Sequence, residues 1–218
     1  MFGKSRVEAF SDGVLAIIIT IMVLELKAPH KADISELTEL FPKFFSYVLS
    51  FIYVAIYWNN HHHMFSTAER INGKILWANT HLLFWLSLIP FTTSWMGETN
   101  FSNISTMLYG FILLMCSIAY HIVQNSIIRQ QGKNSKLKKA VGKDKKGLIS
   151  PFLYTLGIIF GIFAPAVSMI IYTGAAILWI IPDTRIEKMN FFEKKIIKVK
   201  NLHINFICKP YNTDIRFM

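Results

Sequence analysis

The chain is poor in cysteine and in charged residues. Its 218 residues include two cysteines, and charged side chains make up 17% of the total. Cys116 lies inside an apolar run and Cys208 is isolated from it, so the sequence predicts neither a disulfide framework nor a cysteine-ligated zinc site. With 53% hydrophobic residues and a mean hydropathy of +0.39, the chain is too apolar for an ordinary soluble domain. A lipid bilayer is its natural solvent.

The short motifs typical of enzymes are also absent from the sequence. It contains no glycine-rich phosphate loop, no nucleophile elbow and no H-E-x-x-H pair. Three adjacent histidines, His61, His62 and His63, would point about 100° apart on a helix and therefore do not converge on one metal ion. We expect a protein that is not an enzyme and that has neither a metal site nor a cofactor.

Six apolar windows have the length and composition of membrane-spanning helices. They are approximately Arg6–Leu26, Pro42–Met64, Lys74–Met96, Ile104–Ile128, Leu148–Ala164 and Ala166–Ile181. The last two windows divide one long run at Pro165, because the whole run is too long for a single crossing. We therefore predict an all-α, polytopic membrane protein, with a domain of six transmembrane helices at residues 1–187 and a basic cytoplasmic tail at 188–218.

The basic residues lie between the windows, and their distribution predicts an orientation. With six helices and both termini in the cytoplasm, 20 of the 23 Lys and Arg residues fall on the cytoplasmic side, as the positive-inside rule requires. The net charge of +10 is thus confined to loops and the tail rather than spread over a basic face. This pattern favours a multi-pass membrane protein with no nucleic-acid partner.

The first window carries an apolar stripe. Ile17, Ile21 and Leu24 recur at spacings of four and three residues, with Thr20 beside them, so they lie along one face of a helix. Any apolar helix can use such a stripe to pack against a neighbour. The spacing alone therefore leaves two interpretations open, a packing face or the lining of a pathway.

Polar residues gather at the other end of the same window. Asp12 lies inside the helix, where an ionised group is costly in lipid and usually pairs within a bundle. In the predicted topology Trp58, His61 and Asn79 fall at the same membrane face. We predict that Asp12 joins some of them in a network that holds the bundle together; a proton relay is the alternative.

Seven short motifs occur in a fixed order along the chain. They are R-x-x-x-F-S-D-G at Arg6–Gly13, I-x-x-T at Ile17–Thr20, V-L-E-L at Val23–Leu26, Y-W-x-x-H at Tyr57–His61, L-W-x-N at Leu76–Asn79, I-P-F at Ile89–Phe91 and L-W-x-I-P-D at Leu178–Asp183. Together they resemble the landmarks of bacterial members of the transmembrane protein 175 family of cation channels. The resemblance covers approximately residues 4–187.

The resemblance implies a potassium-selective channel of a bacterial plasma membrane that conducts passively through a homotetramer of six-helix subunits. Its partners are then other copies of the chain, the lipid bilayer and the permeant potassium ions. The first helix of each subunit lines the central pore, with Ile17, Ile21 and Leu24 as hydrophobic constrictions and Thr20 as a neighbouring hydroxyl layer. The polar scaffold that holds this helix comprises Arg6, Ser11, Asp12, Trp58, His61 and Asn79.

Two other functions are compatible with the residues. A proton-coupled secondary transporter would use Asp12 and His61 as its relay. A non-conducting membrane scaffold would act through its basic cytoplasmic segments, which attract anionic lipids or partners.

Overall fold

Nine α-helices are present in the residues that the computed structural model describes, which are 3–29, 33–132, 135–141 and 145–180. In chain order they are α1 (Lys4–Leu24), α2 (Ile34–Glu39), α3 (Phe41–Ser66), α4 (Gly73–Ser87), α5 (Ile89–Glu98), α6 (Asn103–Gln131), α7 (Lys136–Val141), α8 (Lys145–Gly161) and α9 (Pro165–Ile180). The predicted basic tail at 188–218 lies outside the described residues.

Four segments are long and apolar enough to cross a membrane. They are Lys4–Leu24, Phe41–Ser66, Gly73–Glu98 and Asn103–Gln131. Two further apolar helices, α8 and α9, are shorter, with 17 and 16 residues. The prediction of an all-helical membrane protein is confirmed, while α2 and α7 are short helices between apolar segments that the sequence did not predict.

The third apolar window forms two helices rather than one. The helix α4 ends at Ser87 and α5 begins at Ile89, with Pro90 in its first turn. A proline has no N–H to donate to the preceding turn, and its ring crowds that turn. The backbone therefore tightens, and the Leu88 N–H bonds to the Trp85 carbonyl three residues back.

The long C-terminal apolar run is divided at the predicted proline. The helix α8 ends at Gly161, and Pro165 opens α9, a position where the missing N–H of proline costs nothing. The two helices then pack against each other, and the Ser168 hydroxyl of α9 donates to the Gly157 carbonyl of α8 at 2.7 Å. This contact also satisfies a buried hydroxyl.

A buried tyrosine of α9 connects this helix to α3, α6 and α8. The Tyr172 ring of α9 lies against Gly110 of α6 and Gly157 of α8, and a Cβ atom at either glycine would overlap it. The Tyr53 hydroxyl of α3 donates to the Tyr172 carbonyl at 2.6 Å. Small residues that admit a large neighbour are typical of helix contacts in membranes.

The first helix packs with one face on α3, α4 and α5. Its buried residues are Val7, Ser11, Leu15, Ile18 and Met22, which recur every three or four positions as one helical face requires. The opposite face of α1 is left exposed in the single subunit.

We expect Gly110→Ala to destabilise the protein, because the added methyl group would overlap the Tyr172 hydroxyl. Overpacking of this kind costs about 1–3 kcal/mol. Gly174→Ala is the matched control, since a Cβ at Gly174 meets no atom within 4 Å. Thermal melting of the detergent-solubilised protein should show a lower midpoint for Gly110→Ala alone, and equal midpoints for the two variants would contradict this account.

Candidate functional site

The predicted stripe of α1 is exposed on the surface of the subunit. The Ile17 and Leu24 side chains are 60% and 72% exposed, and Ile21 is 44% exposed. These three residues lie outside the buried face because they are offset from its centre by about a third of a helical turn. An apolar row this exposed in a membrane protein contacts lipid, another subunit or a pathway.

Thr20 adds a polar atom to this exposed face. Its hydroxyl donates to the Ala16 carbonyl at 2.9 Å, so the hydroxyl proton is engaged within the helix. The oxygen lone pairs remain available as acceptors. Thr20 can therefore offer an oxygen to a cation but has no free proton to offer to an anion.

Two carboxylates lie at the C-terminal end of the stripe. The Ser94 hydroxyl of α5 donates to Glu25 at 3.1 Å, and Glu98 is 3.4 Å from the Lys43 ammonium. A groove of about 460 Å³ lies beside them, lined by Ile21, Glu25, Ser87, Pro90, Phe91, Ser94, Trp95 and Glu98. Sequence reasoning missed Ser94 and Glu98, because their proximity to α1 depends on how α5 packs.

A buried hydrogen-bonded chain holds the N-terminal half of α1. The Asn79 amide nitrogen of α4 donates to the Ser11 hydroxyl oxygen at 2.9 Å, and its carbonyl oxygen lies 2.8 Å from His61 Nε2. Because an amide carbonyl only accepts, His61 Nε2 is the donor. All three side chains are buried, and the Ser11 hydroxyl donates onward to the Val7 carbonyl at 2.8 Å.

Asp12 has a separate partner on α3. The Trp58 indole N–H donates to Asp12 Oδ1 at 3.0 Å. Trp58 is 48% exposed, so this bond lies at the edge of the bundle rather than in its core. We call these two sets of contacts, made by Ser11, Asp12, Trp58, His61 and Asn79, the polar foot.

Arg6 does not join the polar foot within the subunit. Its side chain is exposed and makes no hydrogen bond or ion pair to any described residue. Arg6 precedes Phe10 and Gly13 by four and seven positions, so it lies on the exposed face of α1 and not on the face of Ser11. Of the six residues predicted to form the scaffold, five are therefore in contact in two groups.

The three adjacent histidines point in different directions. His61 is buried and stacks on Phe65 with 4.3 Å between ring centroids, whereas His62 is exposed and stacks on Trp58 at 6.3 Å. No cluster of three metal-ligating side chains occurs among the described residues.

The chain is similar in sequence to bacterial potassium channels. It is 54% identical over 185 residues to a potassium channel of Chryseobacterium sp., a match that covers 85% of this chain and 96% of that protein. It is 33% identical over 126 residues to a potassium channel of Streptomyces collinus, covering 54% of this chain and 61% of that protein.

The fold is similar to that of a solved channel. The crystal structure of a lysosomal potassium-selective channel TMEM175 homologue from Chamaesiphon minutus matches with a TM-score of 0.73 and 26% identity, over 83% of this chain and 97% of that chain. The sequence profile of the family described as Endosomal/lysosomal potassium channel TMEM175 matches residues 6–90, which include the apolar stripe and the polar foot. The chain belongs to the TMEM175 family.

Proposed function

We propose that this chain is one subunit of a potassium channel whose pore is lined by α1. The observation that carries the proposal is the exposed apolar stripe at Ile17, Ile21 and Leu24 on a helix whose other face is packed in the bundle. The named function of the bacterial relatives supports the choice of ion. The channel conducts passively and uses no cofactor.

The proposed assembly is a homotetramer with α1 of each subunit around a central axis. One helix per subunit is too little to enclose a path, whereas four copies of the same exposed face form a closed ring. Each subunit crosses the membrane six times, with α8 and α9 as the last two crossings. At 1.5 Å per residue these helices are about 24–26 Å long, close to the thickness of a bilayer core.

Selectivity in the proposed pore comes from the side chains of α1. The sequence has no T-V-G-Y-G segment, so a filter of backbone carbonyls of that kind is excluded. Rings of Ile17, Ile21 and Leu24 form hydrophobic constrictions that close by dewetting. A ring of Thr20 hydroxyl oxygens compensates for partial dehydration of the ion.

The carboxylates near the C-terminal end of α1 attract cations to the outer mouth. Four copies of Glu25 concentrate negative potential there. The Ser94 hydroxyl holds each carboxylate in place at 3.1 Å. Glu98 contributes less, because Lys43 lies beside it at 3.4 Å.

We further propose that the protein lies in the plasma membrane with both termini in the cytoplasm. The bacterial relatives favour that membrane, and the distribution of Lys and Arg, 20 of 23 on one side in the six-helix topology, favours that orientation. In this orientation the polar foot is cytoplasmic and Glu25 is external. The six-helix domain occupies residues 1–187 and the tail at 188–218 is cytoplasmic.

Replacement of Ile17 by serine tests whether α1 lines the pore. We expect Ile17→Ser to raise the potassium flux of protein-containing liposomes several-fold, because a hydroxyl ring holds water where an isoleucine ring expels it. Val23→Ser is the control, since Val23 is also exposed on α1 but lies about 120° around the helix. Absence of potassium flux through the wild-type protein, or an unchanged flux in Ile17→Ser, would show that α1 does not line the pore.

Replacement of Asn79 by leucine tests the polar foot. The variant keeps the size of the side chain but leaves Ser11 and His61 buried with one partner fewer. We expect a loss of about 1–3 kcal/mol in the free energy of unfolding. Asn60→Leu should cost less, because the Asn60 amide bonds only within its own helix, to the Ile56 carbonyl. If denaturant titrations gave the same loss of unfolding free energy for Asn79→Leu and Asn60→Leu, the buried network would not contribute specifically to stability.

Replacement of Asp12 by asparagine distinguishes the channel hypothesis from the transporter hypothesis. Asparagine retains an oxygen that accepts from the Trp58 indole N–H, so a channel should assemble and conduct at a rate within about twofold of wild type. A proton-coupled transporter instead requires the ionisable group, and its flux would disappear. Potassium flux driven by an imposed pH gradient, lost in Asp12→Asn without loss of assembly, would favour the transporter.

The non-conducting scaffold makes a different prediction for the same liposomes. It gives no potassium flux in the wild type at any pH, together with binding of lipid or partner that weakens as salt is added.

A further inference from the structure

A second groove lies on the side of α4 that faces α6. It has a volume of about 820 Å³ and is lined by Asn72, Gly73, Lys74, Trp77, Ala78, His81, Ile122 and Ser126. We call it the α4–α6 groove. It opens at the membrane face where α1 begins, because α4 starts and α6 ends there. It is separate from the exposed stripe, since none of its lining residues belongs to α1.

The two walls of the groove have matching patterns. On α4, Lys74, Trp77 and His81 follow one another at spacings of three and four residues, so they share one face of the helix. On α6, Ile122 and Ser126 share a face in the same way, and Arg129 continues it one turn nearer the helix end. On α4, Lys74 itself lines the groove, and on α6, Arg129 lies about one turn beyond the lining residue Ser126 on the same helical face.

The charge at the rim is positive. Neither Lys74 nor Arg129 has an ion-pair partner among the described residues, and both side chains are exposed. Glu69 is the acidic residue in the turn before α4, but Arg70 follows it directly, so these two charges offset each other. Two cations at the rim are left for an anion.

The floor of the groove fits an acyl chain or a glycerol backbone better than water. Trp77 is 76% exposed, and exposed tryptophans of membrane proteins lie where the acyl region meets the headgroups. Ala78 and Ile122 continue the apolar surface beside it. Deeper along the same helices, Trp85 of α4 packs edge-on against Phe111 of α6 with 6.0 Å between ring centroids.

His81 and Ser126 add polar atoms to the two walls of the groove. The Trp85 indole donates to His81 Nε2 at 2.8 Å, so the imidazole carries its proton on Nδ1 and remains a donor there. The Ser126 hydroxyl donates to the Ile122 carbonyl at 2.7 Å, and its lone pairs remain available. The His81 N–H can therefore donate to a lipid ester oxygen, and the Ser126 oxygen can accept from a glycerol hydroxyl.

We propose that the α4–α6 groove binds an anionic phospholipid from the leaflet at the N-terminal end of α1. The lipid phosphate lies between Lys74 and Arg129, and its acyl chain runs along Trp77 and Ile122. A free phosphate ion would use the cations but not the apolar floor, whereas a zwitterionic lipid would use the floor and gain less from the cations. A second copy of the chain is the other candidate occupant, and the oligomeric state of the groove variant distinguishes it from a lipid.

The test measures stabilisation of the full-length protein by added lipid. In neutral detergent we expect phosphatidylglycerol to raise the melting midpoint, while phosphatidylcholine and inorganic phosphate leave it nearly unchanged. The variant Lys74→Gln with Arg129→Gln should weaken the apparent affinity for phosphatidylglycerol by about 30-fold, the loss expected for two cations at a membrane surface. The control, Lys138→Gln with Lys139→Gln, removes two exposed cations outside the groove and should keep the wild-type affinity.

A second measurement locates the lipid. Phosphatidylglycerol with brominated acyl chains quenches nearby indoles. In nanodiscs, the part of the quenching that is lost in Trp77→Phe should also be lost in the Lys74→Gln, Arg129→Gln variant. The proposal is overturned if both double variants lose the same affinity, if phosphatidylcholine stabilises as strongly, or if inorganic phosphate alone gives the full shift. It is also overturned if the groove variant changes the oligomeric state, because the occupant is then another subunit.

Discussion

The pair of hydrogen bonds that Asn79 makes to Ser11 and His61 is the constraint on which the orientation of the first helix depends. In a bilayer, apolar side chains gain little from choosing protein over lipid, because both surroundings are apolar. Hydrophobicity alone therefore does not fix the rotation of a helix such as α1. Buried polar groups do, since each unpaired group is costly in an apolar medium. With Ser11 bonded to Asn79, the opposite face of α1 is turned outward.

The two ends of α1 are bonded to different helices, and the apolar stripe lies between them. At the N-terminal end, the polar foot fixes the helix to α3 and α4 through Ser11 and Asp12. At the C-terminal end, Glu25 contacts α5 through Ser94. The apolar stripe lies between these fixed points, so it can face a pathway without losing its position. Tyr172 of α9 packs against α6 and α8, so this part of the core does not involve α1.

Part of the site could be predicted because it is local in the sequence. The spacing of Ile17, Ile21 and Leu24 determines that they share a helical face, whatever the fold. The break at Pro165 also follows from the chemistry of one residue. Arg6 shows the limit of this reasoning: a charged residue beside Ser11 and Asp12 was expected in the same network, but its rotation places it on the exposed face of α1. The contact of Ser94 with Glu25 had no sequence signal at all.

The sequence by itself determined that the protein lies in a bilayer, that it is helical and where its apolar segments lie. These properties follow from composition and from the length of apolar runs. It also determined the family, through motifs that lie in a fixed order. Only the tertiary structure decided which face of α1 is buried, that Asn79 rather than Asp12 bonds to Ser11 and His61, and that Lys74 of α4 and Ser126 of α6 line one groove. Those outcomes join residues up to 68 positions apart in the chain, and such pairings depend on how helices pack rather than on any local pattern.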